Sequence, residues 1–272
     1  MTLSRRDVNE LLASHGLAPS RALGQNFVVD PNTVRRIARL AAVGPGDRVV
    51  EIGAGLGSLS LALLETGASL TAVEVDRGLV PVLREVIEPR GAVVVEADAM
   101  RVDWSALLGS GPWVLVANLP YNIATPLIVE LLEGVPQIER MLVMVQSEVG
   151  ERLAAGPGDD GFGAVSVVVS YWASAALVGR VPPTVFVPRP KVDSALVAMI
   201  RHPVPAVPPA QVDYERLKLV VRSGFGQRRK MLRRALAGVV DPTAFAASGV
   251  RPEARAEELG IAEWGRLAAW TP

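Results

Sequence analysis

The sequence predicts an α/β fold: a parallel sheet flanked by helices, followed by a small helical domain. Three observations predict it. Between residues 46 and 154, apolar runs of strand length alternate with segments of helical periodicity, the signature of βαβ units. The first of these runs leads directly into a glycine turn, Glu51-Ile52-Gly53-Ala54-Gly55-Leu56-Gly57, which opens a helix. The stretch Pro203-Val204-Pro205-Ala206-Val207-Pro208-Pro209 removes backbone donors and stiffens the chain, so regular structure stops there. Only helical periodicity follows it. The expected organisation is a main domain over 1–202 with an N-terminal extension over 1–45, a Pro-rich linker over 203–210, and a helical domain over 211–272.

The elements follow in order. A short polar helix is expected over 4–14. Asp30-Pro31 opens a second helix through residue 40, with the Asp as N-cap and Pro at the first helical position. Strand 48–52 precedes the glycine turn and helix 59–64. Strand 70–75 precedes helix 79–87, and strands 92–97 and 113–117 follow. Thr125-Pro126 starts a helix to residue 132; strand 140–145 and helix 148–154 complete the alternation. A Gly-rich loop over 156–163 leads to a helix over 165–173. Strands 175–181 and 195–201 flank a Pro-rich loop, 182–194, and their closeness predicts an antiparallel, hairpin-like edge. Beyond the linker, helical periodicity falls at 213–224, 227–238, 241–248 and 261–270.

Composition narrows the function classes. Half of the 272 residues are hydrophobic and 21% are charged, ample for a core and contrary to disorder. Apolar stretches are short and interrupted, so no membrane span is expected, and the N-terminus lacks the apolar core and cleavage site of a signal peptide. A cytoplasmic protein is expected. The chain has no Cys and two His residues, His15 and His202, which leaves no thiol nucleophile and poor support for a metal site. Formal net charge is zero, so nucleic-acid affinity must be sought in the placement of charge.

Two constellations carry chemistry. The tetrapeptide Asn118-Leu119-Pro120-Tyr121 ends the apolar run 113–117, at the sheet edge where open α/β folds bind ligands. An Asn oxygen and backbone carbonyls can accept from an exocyclic NH2, and a Tyr face can stack on the heterocycle that bears it. No acid, thiol or metal ligand interrupts the group, which suits a planar base amine acting as nucleophile; Asn and Pro are also ordinary turn residues. The second constellation is the glycine turn with Gly53 and Gly55, then Glu74 and Asp98 at the ends of the next two strands. Glu74 lies 21 positions after Gly53 (74 − 53), where an acid can grip both ribose hydroxyls. Asp98 can accept from an adenine amino group. The spacing is G-x-G-x-G rather than the dinucleotide pattern, and no Walker lysine is present. Each acid could equally be a solvated strand-end charge, and the turn simply a tight one.

These motifs resemble the class I S-adenosylmethionine methyltransferases, and more narrowly the KsgA/RsmA family of small-subunit rRNA adenine N6,N6-dimethyltransferases. The resemblance covers roughly residues 20–235. It rests on Leu23-Gly24-Gln25-Asn26-Phe27, the glycine turn, Val73-Glu74-Val75-Asp76, Asp98, the Asn118 tetrapeptide, Val145-Gln146, the run from Phe186 through Pro188, Arg189, Pro190, Lys191 and Asp193 to Ser194, and Phe225-Gly226-Gln227-Arg228-Arg229-Lys230. It implies a Rossmann-like class I methyltransferase sheet with a small C-terminal helical domain. It implies S-adenosyl-L-methionine as cofactor, held by Gln25, Asn26, Val28, Gly53, Gly55, Glu74, Val75, Asp98, Ala99 and Asn118. Asn118, Leu119 and Pro120 would orient the target amine, and Tyr121 and Phe186 would stack on the two base faces. Ala54, Ser147 and Phe162 depart from residues frequent in the family (Pro, Lys and Tyr).

The partner implied is 16S rRNA within the immature 30S subunit, met by a monomer without metal or membrane. Residues 222–234 hold six cations and no acid. Arg222, Arg228, Arg229, Lys230 and Arg233, with Arg189 and Lys191 in the Pro-rich loop that carries Phe186, are the expected phosphate contacts. The acids that cancel this charge, such as Glu253, Glu257 and Glu258, are expected elsewhere. Three rivals stand beside this reading. An Erm-like large-subunit rRNA methyltransferase shares the fold and a similar tetrapeptide, but the segment 225–230 favours the KsgA/RsmA family. A binding module with vestigial catalysis is opposed by the intact Glu74, Asp98 and Asn118. A dehydrogenase is opposed by the glycine spacing.

Overall fold

The computed structural model describes residues 2–270. In chain order its elements are α1 (Arg5–Ser14), β1 (Phe27–Val28), α2 (Pro31–Ala41), β2 (Arg48–Ile52), α3 (Ser58–Leu64), β3 (Ser69–Glu74), α4 (Leu79–Ile87), β4 (Val93–Glu96), α5 (Trp104–Leu108), β5 (Trp113–Asn118), α6 (Ala124–Gly134), β6 (Ile138–Gln146) and α7 (Ser147–Ala154). They continue with α8 (Ala164–Trp172), β7 (Ala173–Val181), β8 (Phe186–Val187), β9 (Ser194–Arg201), α9 (Tyr214–Gly226), α10 (Leu232–Ala235), α11 (Thr243–Ser248) and α12 (Ile261–Ala269).

Local signals act as the sequence implies. Asp30 accepts from the Thr33 amide at 2.9 Å and Pro31 opens α2, filling a position that needs no N–H. Ser4 and Asp7 close a reciprocal capping box on α1. The seven-stranded sheet runs β4-β3-β2-β5-β6-β9-β7. Pairs β4/β3, β3/β2, β2/β5 and β5/β6 are parallel, and β9 is antiparallel to β6. Strands 175–181 and 195–201 are neighbours at one edge of the sheet, as their closeness in sequence predicts, with β9 between β6 and the edge strand β7. The order reverses direction between β2 and β5, the point at which an open sheet leaves a crevice at its carboxyl edge. A second, two-stranded ladder pairs Phe27 with Val187 and Val28 with Phe186, bringing the Pro-rich loop onto the N-terminal segment. The Val187–Pro188 peptide bond is cis.

The chain divides into two compact units, Met1–Gly150 with Ala176–Ile200, and Glu151–Ala175 with Arg201–Pro272. The second therefore includes residues 151–175, which the sequence pattern assigns to the 1–202 segment. Packing is the reason: Phe162, Val167 and Tyr171 share an apolar cluster with Val220, Phe245 and Trp264. Residues 227–238 do not form the continuous helix their periodicity suggests. Helix α9 ends at Gly226, Lys230 N–H turns back onto the Gln227 carbonyl at 2.8 Å, and helical geometry resumes only at Leu232. Helix α6 starts at Ala124, one residue before the expected Thr125, and α5 falls in a stretch whose sequence announces no element.

Candidate active site

At the end of β2 the chain passes through Gly53, Gly55 and Gly57 with φ of +71°, +61° and +87°, values that favour glycine. A Cβ on Gly55 would sit 3.0 Å from the Phe27 ring, so the loop also lacks space for a side chain there. The turn is tied to the next strand. Gly55 N–H donates to Glu74 Oε2 at 2.8 Å, and the amides of Val75 and Asp76 donate to Glu74 Oε1 at 3.0 and 2.9 Å. Burial pushes the Glu74 carboxyl up, while these three N–H groups pull it back. Glu51, one strand over, is fully enclosed; burial pushes it to about 8 against a 2.5 Å hydrogen bond from Ser60 Oγ, and the Glu74 charge adds to the rise. Asp98, at the end of β4, accepts from the Met100 amide at 3.0 Å and is half-buried.

The tetrapeptide is held from three directions. Asn118 Nδ2 donates to the Asn26 carbonyl at 3.0 Å. A carbonyl only accepts, so the amide nitrogen must face it and Oδ1 must face away. Leu119 N–H donates to the Met144 carbonyl at 3.1 Å, extending the β5/β6 ladder past the strand end. The Tyr121 hydroxyl lies 2.8 Å from Ser194 Oγ, at the start of β9. Burial raises the phenol above its ordinary range, against the Ser194 hydrogen bond, so it stays neutral at physiological pH.

One cavity joins these parts. Gln25, Asn26, Val28, Gly53, Gly55, Glu74, Val75, Asp98, Ala99, Asn118, Leu119, Pro120 and Tyr121 all line it. Leu23, Glu51 and Ile52, which belong to the motif over 23–27 and the glycine-turn motif, line it too, as does Ile123. Ile123, an apolar residue just past the tetrapeptide, carries no signal of its own in the sequence. Phe186 is a correction: it is 1% exposed, packs in the core of the first unit and is not among the cavity-lining residues. Its pairing with Val28 turns the ring inward, so it offers no free face for stacking.

The basic segment also differs from expectation. Arg222, Arg228, Arg229, Lys230 and Arg233 are all exposed, as are Arg189 and Lys191. The acids expected elsewhere are their neighbours: Glu257 pairs with Arg228 at 2.7 Å and Glu253 with Arg233 at 3.3 Å, while Glu258 pairs with Arg251 at 2.7 Å. Phe225 packs between the rings of Phe162 and Trp264, and a Cβ on Gly224 would meet Trp264 at 2.5 Å. Phe225 and Gly224 thus serve the interior. Among the described residues no group of three or more Asp, Glu or His is placed to hold a metal ion, and no helix is long and apolar enough to cross a membrane.

The family model for ribosomal RNA adenine dimethylases matches residues 19–271. The chain belongs to the ribosomal RNA adenine dimethylase family. Two relatives named ribosomal RNA small subunit methyltransferase A are each 46% identical: that of Kineococcus radiotolerans over 99% of this chain and 92% of its own length, and that of Thermobifida fusca over 99% and 96%. The crystal structure of the 23S rRNA methyltransferase ErmE superposes with a TM-score of 0.71 at 27% identity, covering 89% of this chain and 98% of that one. A dimethyladenosine transferase from Plasmodium falciparum shares the fold at a TM-score of 0.71 and 22% identity, over 88% and 94%. The dimethylase sheet is that of the class I methyltransferases, and its methyl donor is S-adenosylmethionine. The cavity fits that group: side-chain-free glycines open the turn, and two carboxylates stand at the ends of adjacent strands for hydroxyl and amino donors.

Proposed function

We propose that this dimethylase converts two adjacent adenines in the 3′-terminal hairpin of 16S rRNA to N6,N6-dimethyladenine, acting as a monomer on the immature 30S subunit in the cytoplasm. The observation that carries the site reading is the Asn118 amide. Its nitrogen is committed to the Asn26 carbonyl, which leaves Oδ1 as a fixed acceptor at the cavity.

In this reading Glu74 holds the ribose, Asp98 the adenine amino group, and the Gly53–Gly55 backbone the rest of the cofactor. The cofactor supplies a methyl group already activated on sulfonium sulfur. The protein's own task is then positioning. The adenine amino lone pair is delocalised into the ring. Hydrogen bonds from its N–H groups to Asn118 Oδ1 and to the Leu119 or Pro120 carbonyl favour a more pyramidal nitrogen with its lone pair directed at the methyl. The alkylated amine is acidic and sheds its proton without a strong base. Tyr121 supplies one stacking face, and the base leaves its helix to reach it, as in base flipping. Exposed Arg222, Arg228, Arg229, Lys230 and Arg233, with Arg189 and Lys191, supply phosphate contacts.

The test is incubation of the protein with S-adenosylmethionine and immature 30S particles, followed by nucleoside mass spectrometry. N6,N6-dimethyladenine in the 3′ hairpin is the expected product. Its absence refutes the reading, and product in 23S rRNA instead selects an ErmE-like activity. The relatives at 46% identity favour the small subunit.

A further inference from the structure

Gln25 lines the cavity, yet both ends of its amide are already used inside the protein. Its Oε1 accepts from the Ser20 amide at 2.7 Å, and its Nε2 donates to Asp76 Oδ2 at 2.6 Å. Asp76 Oδ1 accepts from Gly78 N–H at 2.9 Å, and the Asp76 amide donates to Glu74 Oε1. The residue after Gln25 is Asn26, whose carbonyl receives Asn118 Nδ2. A continuous set of hydrogen bonds therefore runs from Glu74 through Asp76 and Gln25 to the segment that orients Asn118. Gly24 seats that segment against Pro120, where a Cβ would come within 3.4 Å.

We propose that Asp76 and Gln25 form a latch that holds residues 20–28 closed over the cavity and thereby aims the Asn118 amide. They are positioning residues: neither needs to touch the transferred methyl or the amine. Dimethylation needs two cofactor molecules in succession, so the latch must open between transfers if the base stays bound. Its strength sets how fast spent cofactor leaves.

The donor and acceptor pattern dictates the test. In Asp76→Asn, the one remaining oxygen must serve Gly78, so the new NH2 faces the Gln25 NH2, donor against donor. In Gln25→Glu, a carboxylate oxygen faces the Asp76 carboxylate. The double variant Asp76→Asn/Gln25→Glu restores the match with the roles exchanged. The new NH2 at position 76 can donate to the new carboxylate at position 25, whose other oxygen still accepts from Ser20. Three quantities are to be measured on the full chain: amide exchange of residues 20–28 without ligands, the dissociation rate of S-adenosylhomocysteine, and turnover on immature 30S particles.

Each single variant is expected to speed exchange and cofactor release and to lower turnover by about tenfold or more. The double variant is expected to return all three most of the way to wild type. A double variant no better than the worse single, or single variants indistinguishable from wild type, overturns the latch. If Asp76→Asn fails to fold, Gln25→Ala decides instead, and wild-type exchange and release there overturn it. Only the turnover arm rests on the proposed rRNA reading; exchange and release need no RNA, so failure of one is distinguishable from failure of the other.

Discussion

The carboxyl edge of the sheet and the basic segment after the linker are both rich in polar groups, but they are built on opposite plans. At the sheet edge polar atoms are partnered before any ligand arrives: Glu74 by three amides, Asn118 by one carbonyl, Tyr121 by Ser194. In the basic segment, Arg222, Arg229 and Lys230 have no ion-pair partner among the described residues, and Arg228 and Arg233 pair at the solvent surface. The first plan suits chemistry, where a displaced acceptor costs rate. The second suits a flexible polyanion, where affinity comes from releasing counterions rather than from fixed geometry. Mutations should therefore separate cleanly into loss of turnover and loss of affinity.

The largest effect is expected at Asn118. Asn118→Ala removes the aimed oxygen and should lower turnover by about 10²- to 10³-fold, the scale seen when one oriented hydrogen-bonding group is deleted. Cofactor affinity, measured by calorimetry, should fall far less than turnover. A matching loss of cofactor binding would show that Asn118 belongs to the cofactor seat instead. Glu74→Gln comes next. An amide in place of the carboxylate turns an NH2 toward at least one of the three backbone N–H groups. An orphaned buried donor costs about 1–3 kcal/mol, so the midpoint of thermal unfolding should fall together with cofactor affinity.

These expectations show which parts are legible in the sequence. The sheet edge is, because its cues are local: strand runs ending in Gly53, Glu74, Asp98 and Asn118 announce both the turn and the chemistry, and all four line one cavity. The Asn26–Asn118 hydrogen bond is not, since it joins residues 92 apart and nothing in either motif names its partner. Phe186 misleads for a related reason. Prolines around it mark a loop, but whether a loop aromatic faces solvent depends on what the loop pairs with, and Val28 is remote in sequence. The segment 222–234 misleads twice. Counting its cations ignores the acids Glu253 and Glu257 that the fold places beside them, and its helical periodicity hides the turn between Gly226 and Leu232.

Glu51 offers an intermediate effect through pH. Its folded carboxyl is raised from 4.5 to about 8, so between those values the native state keeps a proton that the unfolded chain releases. Stability from this group is complete below pH 4.5 and is lost as pH rises toward 8, with a limiting slope of about 1.4 kcal/mol per pH unit. Glu51→Gln keeps an acceptor for the Ser60 hydroxyl and removes the titration. Its unfolding midpoint should exceed that of wild type by an amount that grows from about pH 5 to about pH 8. A constant difference across that range would mean that Glu51 is ionised in the native state.

The smallest effects belong to the surface cations, and there the pairing makes the prediction specific. Arg229→Ala removes an unpaired charge and should reduce the slope of log affinity against log salt by about one, with turnover at saturating RNA unchanged. Arg228→Ala should cost less than Arg229→Ala, because Glu257 already offsets the Arg228 charge at 2.7 Å. Removing the acid tests the same point from the other side. Glu257→Gln releases Arg228 for phosphate and should tighten RNA binding and steepen the salt slope, as measured by filter binding across a salt series. If Glu257→Gln weakens binding instead, the pair is part of the docking geometry, and this region shares the preorganised plan of the sheet edge.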